Sequence, residues 1–217
     1  MSFLGLVVKN PFRSKTRTAL AVIGIAIGIA TIVALGIITD GLKSSTEETL
    51  KAGGSDFMVV ESNVSDMMFS SIEEKRLDDL KNTSGVQDAV GALLAIYPVD
   101  NNPYFPVMGI KADKLSVGEI TVIEGQGFSE GKDEIIIGKA ASQKTGKKVG
   151  DTLEISGKKF KITGIYETGD LQQDAGAFMS LDTLQDLEKK DNKLTMIFAK
   201  LDKSADLEEL TDRIDDT

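Results

Sequence analysis

The side chains that carry most protein chemistry are missing from this chain. Its 217 residues include no His and no Cys, which excludes Ser-His-Asp and Cys-His nucleophile pairs, thiolate or imidazole zinc sites, haem ligation by those residues and disulfides. Carboxylates remain, and the neighbours Asp78-Asp79 and Asp133-Glu134 are the pairs that acid and base roles would draw on. A glycosidase needs two carboxyl groups about 5 to 10 Å apart across a cleft, which sequence neighbours do not establish. A phosphate-binding loop needs G-x-x-x-x-G-K-[ST], so that successive amides wrap the phosphates while the Lys and the hydroxyl serve the terminal phosphate and magnesium. The nearest string, Gly127-Phe128-Ser129-Glu130-Gly131-Lys132-Asp133, is one residue short and ends in Asp. The chain is expected to be non-catalytic, with no catalytic, cofactor-binding or metal-binding residues.

With catalysis set aside, charge distribution organises the reading. Residues 1 to 39 contain Lys9, Arg13, Lys15 and Arg17 and no acidic residue, so of the net −9 the remainder carries −13. From Thr18 to Thr39 run 22 residues without a charge, enough for a helix of roughly 33 Å that crosses a bilayer. The four basic residues ahead of it act as topology charges, placing the N-terminus in the cytoplasm and everything after Asp40 outside the cell membrane. A cleaved signal peptide is the rival reading, with Ala34-Leu35-Gly36 as its small-residue site. The apolar run exceeds a signal h-region, and no clear small-x-small site ends it, which favours an uncleaved anchor.

Within the span, Gly24 and Gly28 form a GxxxG, flanked by Ala26 and Ala30. Small residues let a second helix approach closely, so these four are helix-packing candidates. Residues 1 to 17 mix Phe3, Leu4, Leu6, Val7 and Val8 with basic residues behind them and Pro11 between. That pattern fits either a short helix on the cytoplasmic interface, its cations against anionic head groups, or a frayed terminus supplying topology charge.

The remainder reads as a mixed α/β domain. Residues 40 to 54 continue the helix to a stop at Gly53-Gly54, and Phe57 to Val60 follow as a buried strand. Ser71 and Glu74 stand at capping-box spacing ahead of a helix through Leu77 and Leu80 to Lys81. Val86 to Val99 is a strand, and Tyr104 to Ile110 another, which Pro103 and Pro106 would keep at an edge. Glu134 to Ile137 is a short buried strand, followed by a helix-like GKAASQKTG. In TLEIS-GK-KFKIT a two-residue Gly157-Lys158 loop predicts a hairpin pairing Ile155 with Phe160 and Leu153 with Ile162. Ala177 to Met179 is a strand, Asp182 with Gln185 would cap a helix, Leu194 to Leu201 is the last strand, and a helix covers Ala205 to Ile214.

Three features of this domain are candidates for recognition. Met67, Met68 and Phe69 are an apolar cluster in a polar stretch, suited to packing on their own domain or to contacting a partner. Seven lysines around the hairpin (Lys139, Lys144, Lys147, Lys148, Lys158, Lys159 and Lys161) are interleaved with Asp133, Glu134, Asp151 and Glu154, the pattern of a solvated face. The −13 itself would steer cationic peptides or simply confer solubility.

The opening NPFRSKTRTALAVIGIAIGIATIVAL, then GSDFMVVE, then EGQGFSEGKDEIIIGKAASQKTGKKVGDTLEISGKKFKITGIYE, together resemble MacB-type ABC transporter permeases. In that family a basic stretch runs into a G-I-x-I-G helix, and a G-R-x-F turn, a V-V-I-G strand, a helix, K-V-G-D and a hairpin ending V-G-I follow in order. Gln126 stands where the family carries Arg. The resemblance implies an α+β architecture: a cytoplasmic basic segment 1–17, a transmembrane helix 18–39 and an extracytoplasmic core 40–217. The core would have a porter-like part, 45–95 with 172–217, and a β-rich insertion, 96–171. It implies a permease component that exports or extracts a substrate by transmitting ATPase-driven movement to the outer domain. ATP and magnesium would sit on a separate ABC ATPase subunit, with none bound by this chain. The other partners would be a second permease copy or paralogue, the lipid bilayer, and a peptide, lipoprotein or small-molecule substrate, with no nucleic acid. Such permeases return to the membrane through three more helices. No second apolar span follows here, so the chain is expected to be a permease cut before its second helix, or a natural truncation. A stand-alone membrane-anchored binding module is the alternative.

Overall fold

A computed structural model describes residues 15–52, 55–115, 120–169, 171–202, 205 and 210, with only the backbone for 42–52. It contains two compact units, residues 1–48 and 49–217. In the first, helix α1 runs from Lys15 and continues to Ala52, 38 residues without interruption, or about 57 Å at 1.5 Å per residue. Its Lys15–Gly41 stretch is long and apolar enough to cross a membrane, and none of its most apolar window is buried. Thr31 and Thr39 donate their hydroxyls to the carbonyls of Ile27 and Leu35, 2.9 Å each, so these polar groups are satisfied within the helix. Lys15 and Arg17 open the helix, exposed. Lys9 and Arg13, the interfacial segment and most of the expected helix 205–214 lie outside the described residues.

The second unit is built on a nine-stranded mixed sheet of order β1-β11-β3-β4-β9-β6-β8-β5, with β7 hairpinned onto β8. The strands are β1 (Phe57–Val59), β3 (Val86–Val99), β4 (Asn102–Ile110), β5 (Thr121–Gly125), β6 (Glu134–Gly138), β7 (Thr152–Ile155), β8 (Lys158–Glu167), β9 (Ala177–Ser180) and β11 (Met196–Leu201). A separate ribbon pairs β2 (Ile72–Glu73) with β10 (Lys193–Leu194). Side chains alternate across a strand, and the run Ile135-Ile136-Ile137 needs apolar cover on both faces. One face carries the larger core, which Ile135 and Ile137 share with Leu77 and Leu80 of α2 (Lys75–Lys81), Ala141 of α3 (Lys139–Thr145), and Leu181 and Leu184 of α4 (Leu181–Glu188). The opposite face packs Ile136, Phe178, Tyr166, Ile110 and Phe128 beneath the segment that holds Ala112, Leu115, Ile120 and Val122. Helices therefore cover one face, while Ala112, Leu115 and Ile120, outside the strands, pack on the other.

Several local expectations change for identifiable reasons. Ser71 does not cap α2, because Ile72–Glu73 pairs with β10 and delays the helix to Lys75, after a Glu74 N-cap without a side-chain bond. Asp182 does not cap α4 either. The N-cap is Ser180, whose hydroxyl bonds the Glu130 carboxylate, and Gln185 reaches Glu74 and the Lys193 carbonyl instead. Strand β4 is interior, antiparallel to β3 and parallel to β9. Its pairing with β9 begins at Val107, just past Pro106, so the prolines sit where β3 is the only partner. Strand β1 is half buried at the sheet edge rather than fully buried.

The β7–β8 hairpin turns at Ser156-Gly157, with φ of 52° and 79°, two left-handed residues as in the I′ family that matches strand twist. Leu153 therefore faces Phe160 and Ile155 faces Lys158, a register two residues from the expected one. A two-residue shift keeps the face, so Leu153, Ile155, Phe160 and Ile162 are all buried in the same core. The last strand breaks at Thr195, which is fully buried. Its hydroxyl accepts from the Leu94 amide at 2.7 Å, giving that amide a partner where β10 and β11 part, and donates to the Ala92 carbonyl at 3.2 Å, which also accepts the Thr195 amide at 2.9 Å.

Candidate functional site

The surface of α1 is the first candidate. Positions four apart share a helix face, so Gly24 and Gly28 lie on one side and Ala26 and Ala30, about 200° around, on the other. Nothing lies within 4 Å of a Cβ added at Gly24 or Gly28, and Leu20, Ile25, Ile29, Ile32 and Leu35 around them are exposed. The helix thus presents two small-residue stripes separated by large aliphatic side chains. In water such a surface is untenable; in lipid it allows close helix contact.

The second candidate is the loop joining β1 to β2. Met67–Phe69 forms a 3₁₀ turn, with Asp66 accepting the Met68 amide at 2.9 Å. Met67 and Phe69 are exposed and Met68 is half buried. Hence one of the three packs on its own domain and two are offered to solvent.

Of the two carboxylate pairs, Asp133-Glu134 is engaged by neighbours and Asp78-Asp79 lies on an open helix surface. Asp133 pairs with Lys158 at 2.6 Å, and Glu134 accepts the Ser129 amide at 3.0 Å with Lys132 at 3.8 Å. Asp78 and Asp79 lie exposed on α2. Lys139 pairs with Glu167 at 2.6 Å, and that hydrogen bond and charge raise the lysine's pKa. Two of the seven hairpin lysines are accordingly already balanced by neighbours. Among the described residues no group of three His, Cys, Asp or Glu side chains is placed to hold a metal ion. A cavity of about 110 Å³ is lined by Leu77, Lys81, Gly91, Lys111, Lys114 and Leu181, well below the roughly 300 Å³ of a small-molecule pocket.

Two buried tyrosines are structural. Tyr97 donates to Glu188 at 2.5 Å, tying β3 to the end of α4, and burial followed by that carboxylate pushes its pKa up. Tyr166 donates to the Gln173 carbonyl at 2.6 Å, with its pKa pushed up by burial and then by Asp174. Asp174 is itself buried and accepts from the Thr168 amide and hydroxyl, 2.8 Å each. Its carbonyl lies 2.1 Å from where a Cβ on Gly138 would stand, so only glycine fits there. Sequence reasoning did not single out this lock, because it depends on a contact between segments 36 residues apart.

The profile of the MacB-like periplasmic core domain family matches residues 18–217. The chain belongs to that family. An uncharacterized ABC transporter permease of Methanocaldococcus jannaschii is 22% identical over 220 residues, covering 95% of this chain and 55% of that protein. The chain therefore spans about half the length of this curated relative. Among solved structures, the periplasmic region of MacB from Actinobacillus actinomycetemcomitans is similar with a TM-score of 0.57 at 13% identity, over 74% of this chain and 82% of that one. The extracellular domain of the noncanonic ABC-type transporter YknZ from Gram-positive bacteria gives 0.55 at 18% identity, over 71% and 86%. These two likenesses establish the fold. An apolar N-terminal helix followed by a member of a periplasmic domain family makes this MacB-like chain a membrane protein with an extracytoplasmic domain.

Proposed function

We propose that this MacB-like chain is the first membrane helix and outer domain of an ABC transporter permease, and that α1 carries ATPase-driven movement into that domain. The reading is supported chiefly by one observation: α1 passes from an apolar surface through Asp40 to Ala52 without a break in its helix. A continuous hydrogen-bonded rod transmits rotation and translation, whereas a loop would dissipate them. ATP and magnesium reside on a separate ATPase subunit, and this chain binds neither. The N-terminus is cytoplasmic, held there by Lys9, Arg13, Lys15 and Arg17. Gly24 and Gly28 pack against another helix of the transporter, either within the permease or from a second copy or paralogue.

The outer domain divides into a porter-like part, 45–95 with 172–217, and an insertion, 96–171. Strand β3 serves both, pairing with β11 over Val86–Ala92 and with β4 from Leu93 onward. The substrate is a peptide, a lipoprotein or a small molecule, exported or extracted from the membrane.

The test is to insert two glycines beside Asp40 in the full-length permease with its ATPase. We expect ATP turnover to persist while transport per ATP falls. Unchanged transport per ATP removes α1 as the lever. Co-purification of an ATPase with the full-length permease checks the partner independently.

A further inference from the structure

The loop of residues 60–71 uses polar groups to hold its own shape and leaves two apolar side chains, Met67 and Phe69, in water. Two bonds close its base, from the Glu61 amide to Ser70 Oγ and from the Ser71 amide to Glu61 Oε2, each 2.9 Å. Asp66 fixes the turn at its tip. The presented residues are Met67 and Phe69, 46% and 70% exposed. Phe69 alone among the described phenylalanines is exposed; the others are buried or half buried. A loop that merely connected two strands would have no reason to order an aromatic side chain into solvent.

The charge that the loop and its two flanking strands carry has one sign. From Ser55 to Glu74 the chain has five carboxylates and no basic residue. Glu73 and Glu74 face Lys193 and Lys111, at 3.4 Å each. Asp56, Glu61 and Asp66 instead accept the backbone amides of Leu201, Ser71 and Met68 at 2.8 to 2.9 Å. An amide orients a carboxylate without cancelling its charge, so within the loop Glu61 and Asp66 form an anionic collar beside the apolar tip. At the foot of the loop, Met58 and Val60 are half buried on the same apolar cluster as Phe198.

We propose that this loop is a docking site for a cationic amphipathic segment of a partner protein, with Phe69 and Met67 entering its apolar side and the collar meeting its lysines or arginines. An anionic rim steers such a segment and excludes acidic ones. A desolvated aromatic flanked by an adaptable methionine supplies the anchor. The site needs neither ATP nor the lever, so it stands apart from the transport reading.

The chain has no tryptophan, so Phe69→Trp makes a unique fluorophore at the tip. With the whole chain in phosphatidylcholine nanodiscs, the probe is an 18-residue helical peptide of Leu and Lys in amphipathic order. We expect a saturable blue shift that weakens as salt rises. With a fluorescent form of the peptide and the native loop, Met67→Ser with Phe69→Ser should raise Kd about tenfold or more. Glu61→Gln with Asp66→Asn keeps the acceptors for both amides and should raise Kd severalfold while flattening the salt dependence. Unaltered thermal unfolding of these exposed-site variants separates loss of binding from loss of fold. Equal Kd for the serine pair, or equal binding of a Leu/Glu peptide, overturns the proposal. So does quenching of Trp at position 69 by brominated lipid before peptide is added, which would mean that the loop enters the bilayer.

Discussion

Two isoleucine-rich stretches of this chain face different surroundings. In α1, Ile25, Ile29 and Ile32 are 58 to 72% exposed, whereas in β6 Ile135, Ile136 and Ile137 are at most 1% exposed. The residue type is the same, but the environment that takes up the apolar surface differs. The domain supplies its own apolar environment by packing two faces of a sheet. The helix has none of its own and needs lipid or other helices. Burial therefore measures where each stretch finds its stability: inside the chain for β6, outside it for α1.

The largest effect expected from this contrast comes from truncating one isoleucine in each place. Ile136→Ala should cost the domain about 2 to 5 kcal/mol in denaturant unfolding, through lost transfer energy and the cavity left behind. Ile29→Ala should leave the same transition unmoved. Comparable losses in both would mean that α1 contributes to the domain's core.

Glycines in the two regions differ in the same way. Gly138→Ala drives a Cβ into the Asp174 backbone, a forced shift that should cost about 1 to 3 kcal/mol. A Cβ at Gly28 meets nothing within 4 Å, so Gly28→Ala should leave domain stability alone. If the Gly24/Gly28 face packs against another α1, energy transfer between labelled chains in liposomes should fall in Gly28→Leu. Unchanged transfer would assign that face to lipid or to a helix of another kind.

The smallest effect is electrostatic. Burial pushes the Asp88 carboxyl up, but the Lys114 ammonium at 3.0 Å and the Ala89 amide outweigh it and hold the pKa below the ordinary carboxylate value. A depressed folded pKa means stability that is present above the unfolded pKa and lost as pH falls through the folded one. The domain of Asp88→Asn should therefore be less stable than wild type at pH 6, by at most about 1 kcal/mol because the pair is partly solvated. The difference should shrink as pH falls below about 4. Between Thr18 and Thr39 no side chain titrates, so the span should show no corresponding pH dependence. A gap between the two proteins that persisted at pH 2 would point to lost packing rather than charge.

The long strand Val86–Val99, the triple isoleucine of β6, the helix after it and the hairpin's buried face were legible because each rests on a local pattern: alternation, an apolar run or a glycine stop. Errors gathered where a distant segment competed for the same backbone. Ser71 lost its capping role to the β2–β10 pairing, and Asp182 was displaced as cap by Ser180 and its bond to Glu130. The prolines of β4 mark only its upper half, since β9 joins below them. Of the candidate residues, the small-residue stripes of α1 were visible as spacing. The clamp of Glu61 and Asp66 around Met67–Phe69 required knowing that Glu61 and Ser71 meet.

What the amino-acid order determined alone was composition-bound: no His or Cys and so none of their chemistry, one uncharged span with basic residues before it, and an acidic remainder patterned as alternating strands and helices. These follow from side-chain type and short-range period, which need no partner. Tertiary structure decided the strand order, the two-residue shift in the hairpin, the single residue that fits at position 138 and the exposure of Phe69. Each depends on which distant backbone arrives alongside, and a β-sheet places neighbours by long-range pairing rather than by adjacency in sequence.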